Sequence, residues 1–206
     1  MDCSFLRTML SAMRDAIRAN RDRLIDLDSQ MGDGELGLSM GDGFTAAALT
    51  AEEFAGDDCG KLLYAVGKAF NNAAPSSMGT LLSAGWMRAG KALKGKTELT
   101  PGDIADMCAA LLAGMVDLGK AKPGDKTFVD GFGPGIDALK AALARGEELH
   151  AATAQAAEAA RKGFENTRGM VAAFGRAAIR GEDSRNELDA GAAVAAVMFE
   201  ALAQTV

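Results

Sequence analysis

The segment FLRTMLSAMRDAIR at residues 5–18 decides the fold class, because its apolar residues recur every three or four positions. The apolar set is Phe5, Leu6, Met9, Leu10, Met13 and Ile17. The polar set between them is Arg7, Arg14, Asp15 and Arg18. This spacing places the two sets on opposite faces of an amphipathic helix, whereas a half-buried strand would alternate apolar and polar residues with period two.

The same spacing continues through a chain that is rich in Ala, Leu and Met and poor in β-branched residues. It predicts further helices over roughly 38–55, 59–73, 78–94, 102–118, 126–145, 150–173 and 187–204. No Ser/Gly linker, low-complexity tract or internal repeat divides the sequence. We therefore expect an all-α protein of about eight helices that forms a single domain over residues 1–206.

Composition excludes several classes of function. The 206 residues are 49% hydrophobic and carry a net charge of -6, with no cluster of Lys or Arg. This argues against disorder and against a nucleic-acid or anionic membrane surface. No run of residues approaches the roughly 18 apolar positions of a membrane span, and the first residues are too polar for a secretory signal. A cytoplasmic protein is expected.

Histidine and cysteine usage narrows the chemistry further. His150 is the single histidine and stands in an exposed-looking stretch. The chain therefore lacks the histidines that acid/base catalysis by histidine or a histidine-ligated zinc site would need. Cys3, Cys59 and Cys108 form no CxxC pair and lie in apolar, helix-like contexts. They are expected to be free, buried thiols in a reducing compartment.

The stretch IDLDSQMGDGELG at 25–37 concentrates negative charge, and we expect residues 26–37 to form a glycine-bent loop. Its carboxylates are Asp26, Asp28, Asp33 and Glu35, interleaved with Gly32, Gly34 and Gly37. Two carboxylates about 4 Å apart repel by about 4 kcal/mol at an effective dielectric constant near 20. Such a loop calls for a cation, and oxygen ligands favour Mg²⁺, Mn²⁺ or Ca²⁺ over zinc. A solvated acidic loop that caps the next helix is the open alternative.

Three familiar motifs overlap this stretch, but the sequence does not fit any of them. GDGELG at 32–37 fits GxGxxG, but no strand precedes it and acidic side chains stand where a pyrophosphate would approach. Gly32, Gly37 and Ser39 have P-loop spacing, but Leu38 replaces the essential lysine and no strand precedes the loop. An EF-hand fails at the turn glycine and at the final glutamate. A phosphate at this loop would therefore have to arrive with metal, and two divalent cations bring three carboxylates and a diphosphate close to neutral.

Three further segments are candidates to complete such a site. AAPSSMGT at 73–80 offers Ser76, Ser77, Gly79 and Thr80 at a helix start. GDKTF at 124–128 offers a cation and the Thr127 hydroxyl at a second helix start. The segment 174–191 offers Arg176, whose guanidinium can hold two phosphate oxygens. Capping turns and a solvated charged loop would have the same sequences, so both interpretations stay open.

Taken in order, these motifs resemble the nucleotide-binding (L, or DhaL) subunit or domain of dihydroxyacetone kinases. LDSQMGDGELG resembles the family's L-D-x-x-I-G-D-x-D-H-G, with Asp28, Asp33 and Glu35 at its three metal positions. GKAKPGDKTF at 119–128, GRAAIRGEDS at 175–184 and DAGA at 189–192 resemble its later motifs. The sequence departs from the family at Leu36 and Ser39, and NNAAPSSMGT keeps only Gly79 and Thr80 of a glycine-rich segment, as in a divergent branch.

The resemblance implies an antiparallel barrel of eight helices that binds ADP or ATP at one end through two Mg²⁺ ions. It places Gly119, Phe128, Arg176, Asp189 and Gly191 around the nucleotide. It also implies phosphoryl transfer, in which Asp28, Asp33 and Glu35 hold the ions and Arg176 stabilises charge.

The implied acceptor is a short ketose or related hydroxy-carbonyl compound held by a histidine on a K-type partner subunit, since this chain has no suitable histidine. The phosphoryl donor is ATP or a phosphotransferase-system protein that recharges bound ADP, and the sequence does not choose between them. The rival hypothesis is a non-catalytic helical domain that binds metal or nucleotide and regulates a partner protein.

Overall fold

The structure, a computed structural model, describes residues 1–206 and contains helices and no strand. The α-helices are α1 (Cys3–Ala19), α2 (Arg21–Met31), α3 (Leu36–Glu53), α4 (Cys59–Ala73), α5 (Ser77–Ala92), α6 (Pro101–Gly119), α7 (Phe128–Ala144), α8 (Leu149–Glu165) and α9 (Ala190–Gln204). A 3₁₀ segment, Arg176–Asn186, precedes α9. The all-α prediction is confirmed. None of these helices combines the length and the apolar character that crossing a bilayer requires.

Three expectations about elements need correction. The helix predicted over 150–173 ends at Glu165, because the chain turns there and continues irregularly to the 3₁₀ segment. That 3₁₀ segment replaces the expected charged loop, and Gly181 interrupts it with φ 53° and ψ -127°. Helix α2 was missed because its short run of residues alternates acidic and apolar side chains and buries only Leu24 and Met31. Nine α-helices result in place of about eight.

The chain forms two compact units, each assembled from separate stretches of sequence. The first comprises Met1–Asp15, Ser39–Lys120 and Thr205; the second comprises Ala16–Leu38, Ala121–Gln204 and Val206. The expectation of one domain over residues 1–206 stays a prediction.

Glycines let the helices of the first unit approach closely. Gly60 on α4 and Gly90 on α5 face each other, and a Cβ added to either would collide with the carbonyl oxygen of the other. The Ser83 hydroxyl donates a hydrogen bond of 2.8 Å to the Gly67 carbonyl across the same helix pair. Cys3, Cys59 and Cys108 are buried and form no disulfide, as the sequence predicted.

The second unit packs α7, α8 and α9 against one another. A ladder of aromatic rings fills its core, with centroid distances of 4.8 Å from Phe128 to Phe132 and 4.6 Å from Phe132 to Phe199. Gly131 lies against the Ala192 carbonyl, where an added Cβ would approach the oxygen to 2.7 Å. This contact holds the first turns of α7 and α9 side by side. His150 is exposed on α8, as predicted.

Candidate functional site

The acidic stretch is half helix and half turn. Asp26 and Asp28 lie in α2, whereas Asp33 and Glu35 lie in the turn before α3, so the predicted loop over 26–37 is wrong in its first half. The turn depends on Gly34, which has φ 74°. A left-handed residue here reverses the chain at little steric cost because glycine has no Cβ.

The fold brings Asp28 and Asp33 together. Asp28 Oδ2 accepts a hydrogen bond of 3.2 Å from the Leu36 backbone N–H, and so caps the start of α3. Its carboxyl is also within hydrogen-bonding reach of the Asp33 carboxyl. Burial, and then the neighbouring charge of Asp33, raise the pKa of Asp28 above its usual range in spite of the Leu36 hydrogen bond. Two carboxyls in such an arrangement stabilise a shared proton or a cation.

The pKa of Asp33 is shifted in the opposite direction from that of Asp28. Burial alone would raise the pKa of Asp33, but the Glu35 backbone N–H and the charge of Arg176 together hold it below its usual range. Arg176 Nη2 lies 2.7 Å from Asp33 Oδ2, and the Asp33 side chain is 27% exposed. Arg176 thus lies at the acidic turn and contacts a carboxylate, and its predicted contact with phosphate stays a prediction.

Glu35 does not join the pair. It is exposed, and its side chain makes no hydrogen bond or ion pair. No group of three or more Asp, Glu, His or Cys side chains is gathered closely enough to hold a metal ion. The donor set of Asp28 and Asp33 suits a hard divalent cation, since both offer carboxylate oxygens. A third protein ligand would require the Glu35 side chain to rotate towards them.

Gly37 has a packing role in the same region. A Cβ at this position would collide with the Arg21 carbonyl and approach the Ile25 side chain to 2.8 Å. The glycine therefore permits the start of α3 to lie against α2, a role that sequence reasoning did not assign to it.

The starts of α7 and α9 gather three of the residues predicted around the nucleotide. An added Cβ on Gly191 would lie 3.2 Å from the Phe128 backbone nitrogen, so the two helix starts are in contact there. Asp189 Oδ2 accepts a hydrogen bond of 2.6 Å from the Ala192 backbone N–H. Burial raises the pKa of Asp189 to about 7, although that hydrogen bond and the charge of Lys126 lower it.

Thr127 closes the α7 start with a capping box. Its hydroxyl accepts from the Val129 backbone N–H at 3.2 Å, and its own backbone N–H donates to Asp130 Oδ2 at 2.8 Å. Asp130 also accepts from the Gly124 backbone N–H at 2.6 Å. The hydroxyl predicted to receive a phosphate oxygen thus serves a cap in this structure.

Lys126 is the cation of the GDKTF segment, and it does not face an open site. The residue is buried, with 1% relative exposure, and has a φ of 61°. Its Nζ donates to the carbonyls of Thr167, Met170, Ser184 and Glu187 at 2.9, 3.3, 2.7 and 2.5 Å. Burial lowers the pKa of Lys126. The expected phosphate-binding cation is therefore a structural one, and it binds backbone carbonyls on both sides of Arg176 in the chain.

Sequence reasoning missed this network because the partners are far away in the chain. The Lys126 partners lie 41 to 61 residues downstream. Ser184 contributes a second anchor, since its hydroxyl accepts from the Ala172 backbone N–H at 2.9 Å and donates to the Gly181 carbonyl at 2.6 Å. No local spacing signals such contacts, although the lysine and serine both stand within motifs that the sequence singled out.

The remaining predicted residues belong to the first unit. Ser76 is the N-cap of α5, and its hydroxyl accepts from the Gly79 backbone N–H at 3.1 Å. Ser77 and Thr80 are exposed in the first turn of α5. Ser39 lies in the first turn of α3, and Gly119 is the last residue of α6. These residues are placed at helix ends as expected, and their nucleotide contacts stay predictions.

Comparison with known proteins supports a family assignment. Residues 30–204 match the Dak2 family model, the DAK2 domain. The chain is 30% identical over 193 residues to the ADP-binding subunit DhaL of PEP-dependent dihydroxyacetone kinase 2 from Listeria innocua, covering 93% of this chain and 89% of that one. It is 28% identical over 194 residues to the corresponding Escherichia coli DhaL subunit, covering 94% and 92%.

Longer relatives contain a similar region. The chain is 32% identical over 195 residues to L-erythrulose kinase from Pectobacterium atrosepticum, but spans only 33% of that protein. The crystal structure of the dihydroxyacetone kinase of C. freundii superposes with a TM-score of 0.77 at 21% identity, over 98% of this chain and 34% of the kinase. That kinase in complex with AMP-PNP and Mg²⁺ gives a TM-score of 0.73. These structures share the fold. With the family match over residues 30–204, the chain belongs to the DAK2-domain family as a divergent DhaL-type member.

Proposed function

We propose that this chain is the nucleotide-binding subunit of a dihydroxyacetone-kinase-like phosphotransferase. It binds ADP or ATP with two Mg²⁺ ions, and the acceptor is a short ketose or related hydroxy-carbonyl compound on a K-type partner subunit. The supporting relatives are named ADP-binding subunits of dihydroxyacetone kinases, and the solved kinase of the same fold is described with AMP-PNP and Mg²⁺.

The observation that carries the proposal is the adjacency of the Asp28 and Asp33 carboxyls, with Arg176 as the cation beside them. Helix α2, which positions Asp28, packs against both α9 and the 3₁₀ segment that begins at Arg176. The acids are thereby held in the unit that contains the contacting α7 and α9 starts. Helix starts present free backbone N–H groups, which suit phosphate oxygens.

Asp28, Asp33 and Glu35 would hold the metal ions, with Glu35 rotating to join them. Bound Mg²⁺ would link these carboxylates to phosphate oxygens and neutralise charge that builds up during transfer. Arg176 would then donate to phosphate oxygens in place of Asp33. The relatives include PEP-dependent systems, and this favours bound ADP that a phosphotransferase-system protein recharges over exchange of free ATP.

A melting-temperature experiment tests the binding site. ADP with Mg²⁺ is expected to raise the melting temperature of the full chain more than either alone, since each ligand supplies part of the other's site. Asp33→Asn should remove this joint effect. Asp42→Asn, which changes an exposed carboxylate of α3, is the matched control and should retain it. An equal joint effect in both variants would contradict the assignment.

Phosphoryl transfer distinguishes the proposal from a purely regulatory role. The chain is combined with a K-type subunit and dihydroxyacetone, and either ATP or a phosphorylated phosphotransferase-system protein is added. Formation of phosphorylated ketose that depends on Asp33 supports the kinase. Tight nucleotide binding without transfer from either donor favours the non-catalytic, regulatory hypothesis.

A further inference from the structure

A groove of about 1050 Å³ runs between α4 and α5 in the first unit, and its chemistry differs from that of the acidic site. Its apolar lining residues, which we call the apolar floor, include Ala65, Met87, Ala92 and Ala110. The lining also contains five cationic side chains and no acidic residue. The cations are Lys61, Lys68, Arg88, Lys91 and Lys94.

Two glycines line the groove. Gly60 and Gly90 bring the backbones of α4 and α5 into contact there. Larger residues on neighbouring turns of the same helices also line it. One of them is Tyr64, which is 46% exposed although its side chain is a large aromatic group.

The positive charge of the groove is only partly neutralised. Arg88 pairs with Asp117, and Lys61 lies 3.9 Å from Asp58. Lys68 lies 5.3 Å from the centroid of the Tyr64 ring. Lys91 and Lys94 form no ion pair. In a chain with 28 acidic and 22 basic residues, five cations around one acid-free groove form a local reversal of the overall charge.

We propose that the α4–α5 groove binds an acidic amphipathic segment of a partner protein, whose carboxylates contact the lysines and whose aliphatic side chains cover the apolar floor. Charge complementarity selects an acidic partner. The apolar floor selects a peptide with aliphatic side chains over a nucleic-acid backbone, which would place phosphates there, and Tyr64 is the only aromatic side chain in the groove available for stacking on bases. A helix laid along such a groove is a recurrent form of peptide recognition.

This inference is independent of the proposed kinase function. Every residue of the groove belongs to the first unit, and none is among the predicted metal or nucleotide residues. Loss of nucleotide binding would leave the groove unaffected, and loss of groove binding would leave the nucleotide-dependent change in melting temperature unaffected.

The test measures the binding of a fluorescent synthetic peptide to the full chain by anisotropy. The peptide spans about three helical turns, with Leu at a three- and four-residue spacing and Glu on both flanks. The variant Lys68→Glu/Lys91→Glu should weaken its binding at least about tenfold, because two contacts become repulsive. The matched variant Lys140→Glu/Lys162→Glu changes the same charge on exposed lysines of α7 and α8 and should bind as the wild type does. Circular dichroism verifies folding, and Lys68→Gln/Lys91→Gln provides a milder variant.

Salt and competing probes complete the experiment. Raising the ionic strength from about 0.1 M to about 1 M shortens the screening length from about 10 to about 3 Å and should weaken peptide binding. Absence of binding, equal binding of a peptide with Lys in place of Glu, or equal weakening in the control variant would overturn the proposal. Tighter binding of duplex DNA or of anionic lipid vesicles, lost in Lys68→Glu/Lys91→Glu, would show that the groove serves another class of partner and would also overturn it.

Discussion

Arg176 Nη2 lies 2.7 Å from Asp33 Oδ2, so a residue predicted to bind phosphate pairs with a residue predicted to bind metal. The guanidinium supplies the positive charge that the adjacent Asp28 and Asp33 carboxyls require. A divalent cation on Asp33 would supply the same charge. We therefore expect Arg176 and a metal ion to compete for Asp33 in the absence of phosphate, and to act together once a phosphate is bound.

The first prediction follows from this competition. Arg176→Ala should increase the affinity for Mn²⁺ alone by about two- to fivefold, the effect expected from losing one largely exposed ion pair. The same variant should decrease the affinity for ADP at saturating metal. Titration calorimetry measures both, and Arg180→Ala, in the same exposed segment, is the control. Unchanged metal affinity in Arg176→Ala would show that the pair does not compete with metal.

The second prediction concerns pH. Burial raises the pKa of Asp189 from 3.8 to about 7, so the folded state holds this proton more tightly than the unfolded state does. Its contribution to stability is complete below pH 3.8 and is lost as the pH rises through about 7. Asp189→Asn keeps an acceptor for the Ala192 N–H but cannot ionise, and should flatten this fall in the free energy of unfolding.

Urea unfolding at a series of pH values measures the effect. Asp42→Asn, at an exposed position, should leave the pH dependence of the wild type unchanged. A fall of the same steepness in Asp189→Asn would assign it to other groups.

The third prediction tests the buried lysine. Lys126→Met should reduce the free energy of unfolding by roughly 2 to 4 kcal/mol, because four carbonyl oxygens lose their shared donor. It should also expose the 167–187 region to limited proteolysis. Lys140→Met, at an exposed position of α7, is expected to change stability by less than about 0.5 kcal/mol. Equal stability of the two variants would show that Lys126 does not stabilise the fold.

The fourth prediction tests the close approach of α4 and α5. Gly90→Ala should destabilise the chain by about 1 to 3 kcal/mol, since the new Cβ meets the Gly60 carbonyl and the Tyr64 backbone nitrogen at 2.6 Å. Gly102→Ala is the matched change, because the nearest atom to its Cβ is Thr100 Oγ1 at 3.6 Å. It should leave stability unchanged or increase it by up to about 1 kcal/mol. Similar losses in both variants would contradict the packing argument.

Local features of the sequence determined the helices and the residues worth testing. The helix predicted over 59–73 is confirmed at both ends, Cys59 and Ala73, because the Asp58 cap and the three- and four-residue spacing act within a few positions. The acidic stretch was found for the same reason, since mutual repulsion among close carboxylates is a local property. Family membership also followed from the order of four short motifs along the chain.

Tertiary structure alone decided what those residues contact. Lys126 looked like a phosphate ligand beside Thr127, yet packing surrounds it with carbonyls from 41 to 61 residues away. Arg176 was expected to bind a phosphate, but it forms an ion pair with Asp33, 143 positions earlier in the chain. A charged side chain takes the partner that folding brings within reach, and burial determines how strongly it must be neutralised. Spacing along the chain carries no record of either quantity.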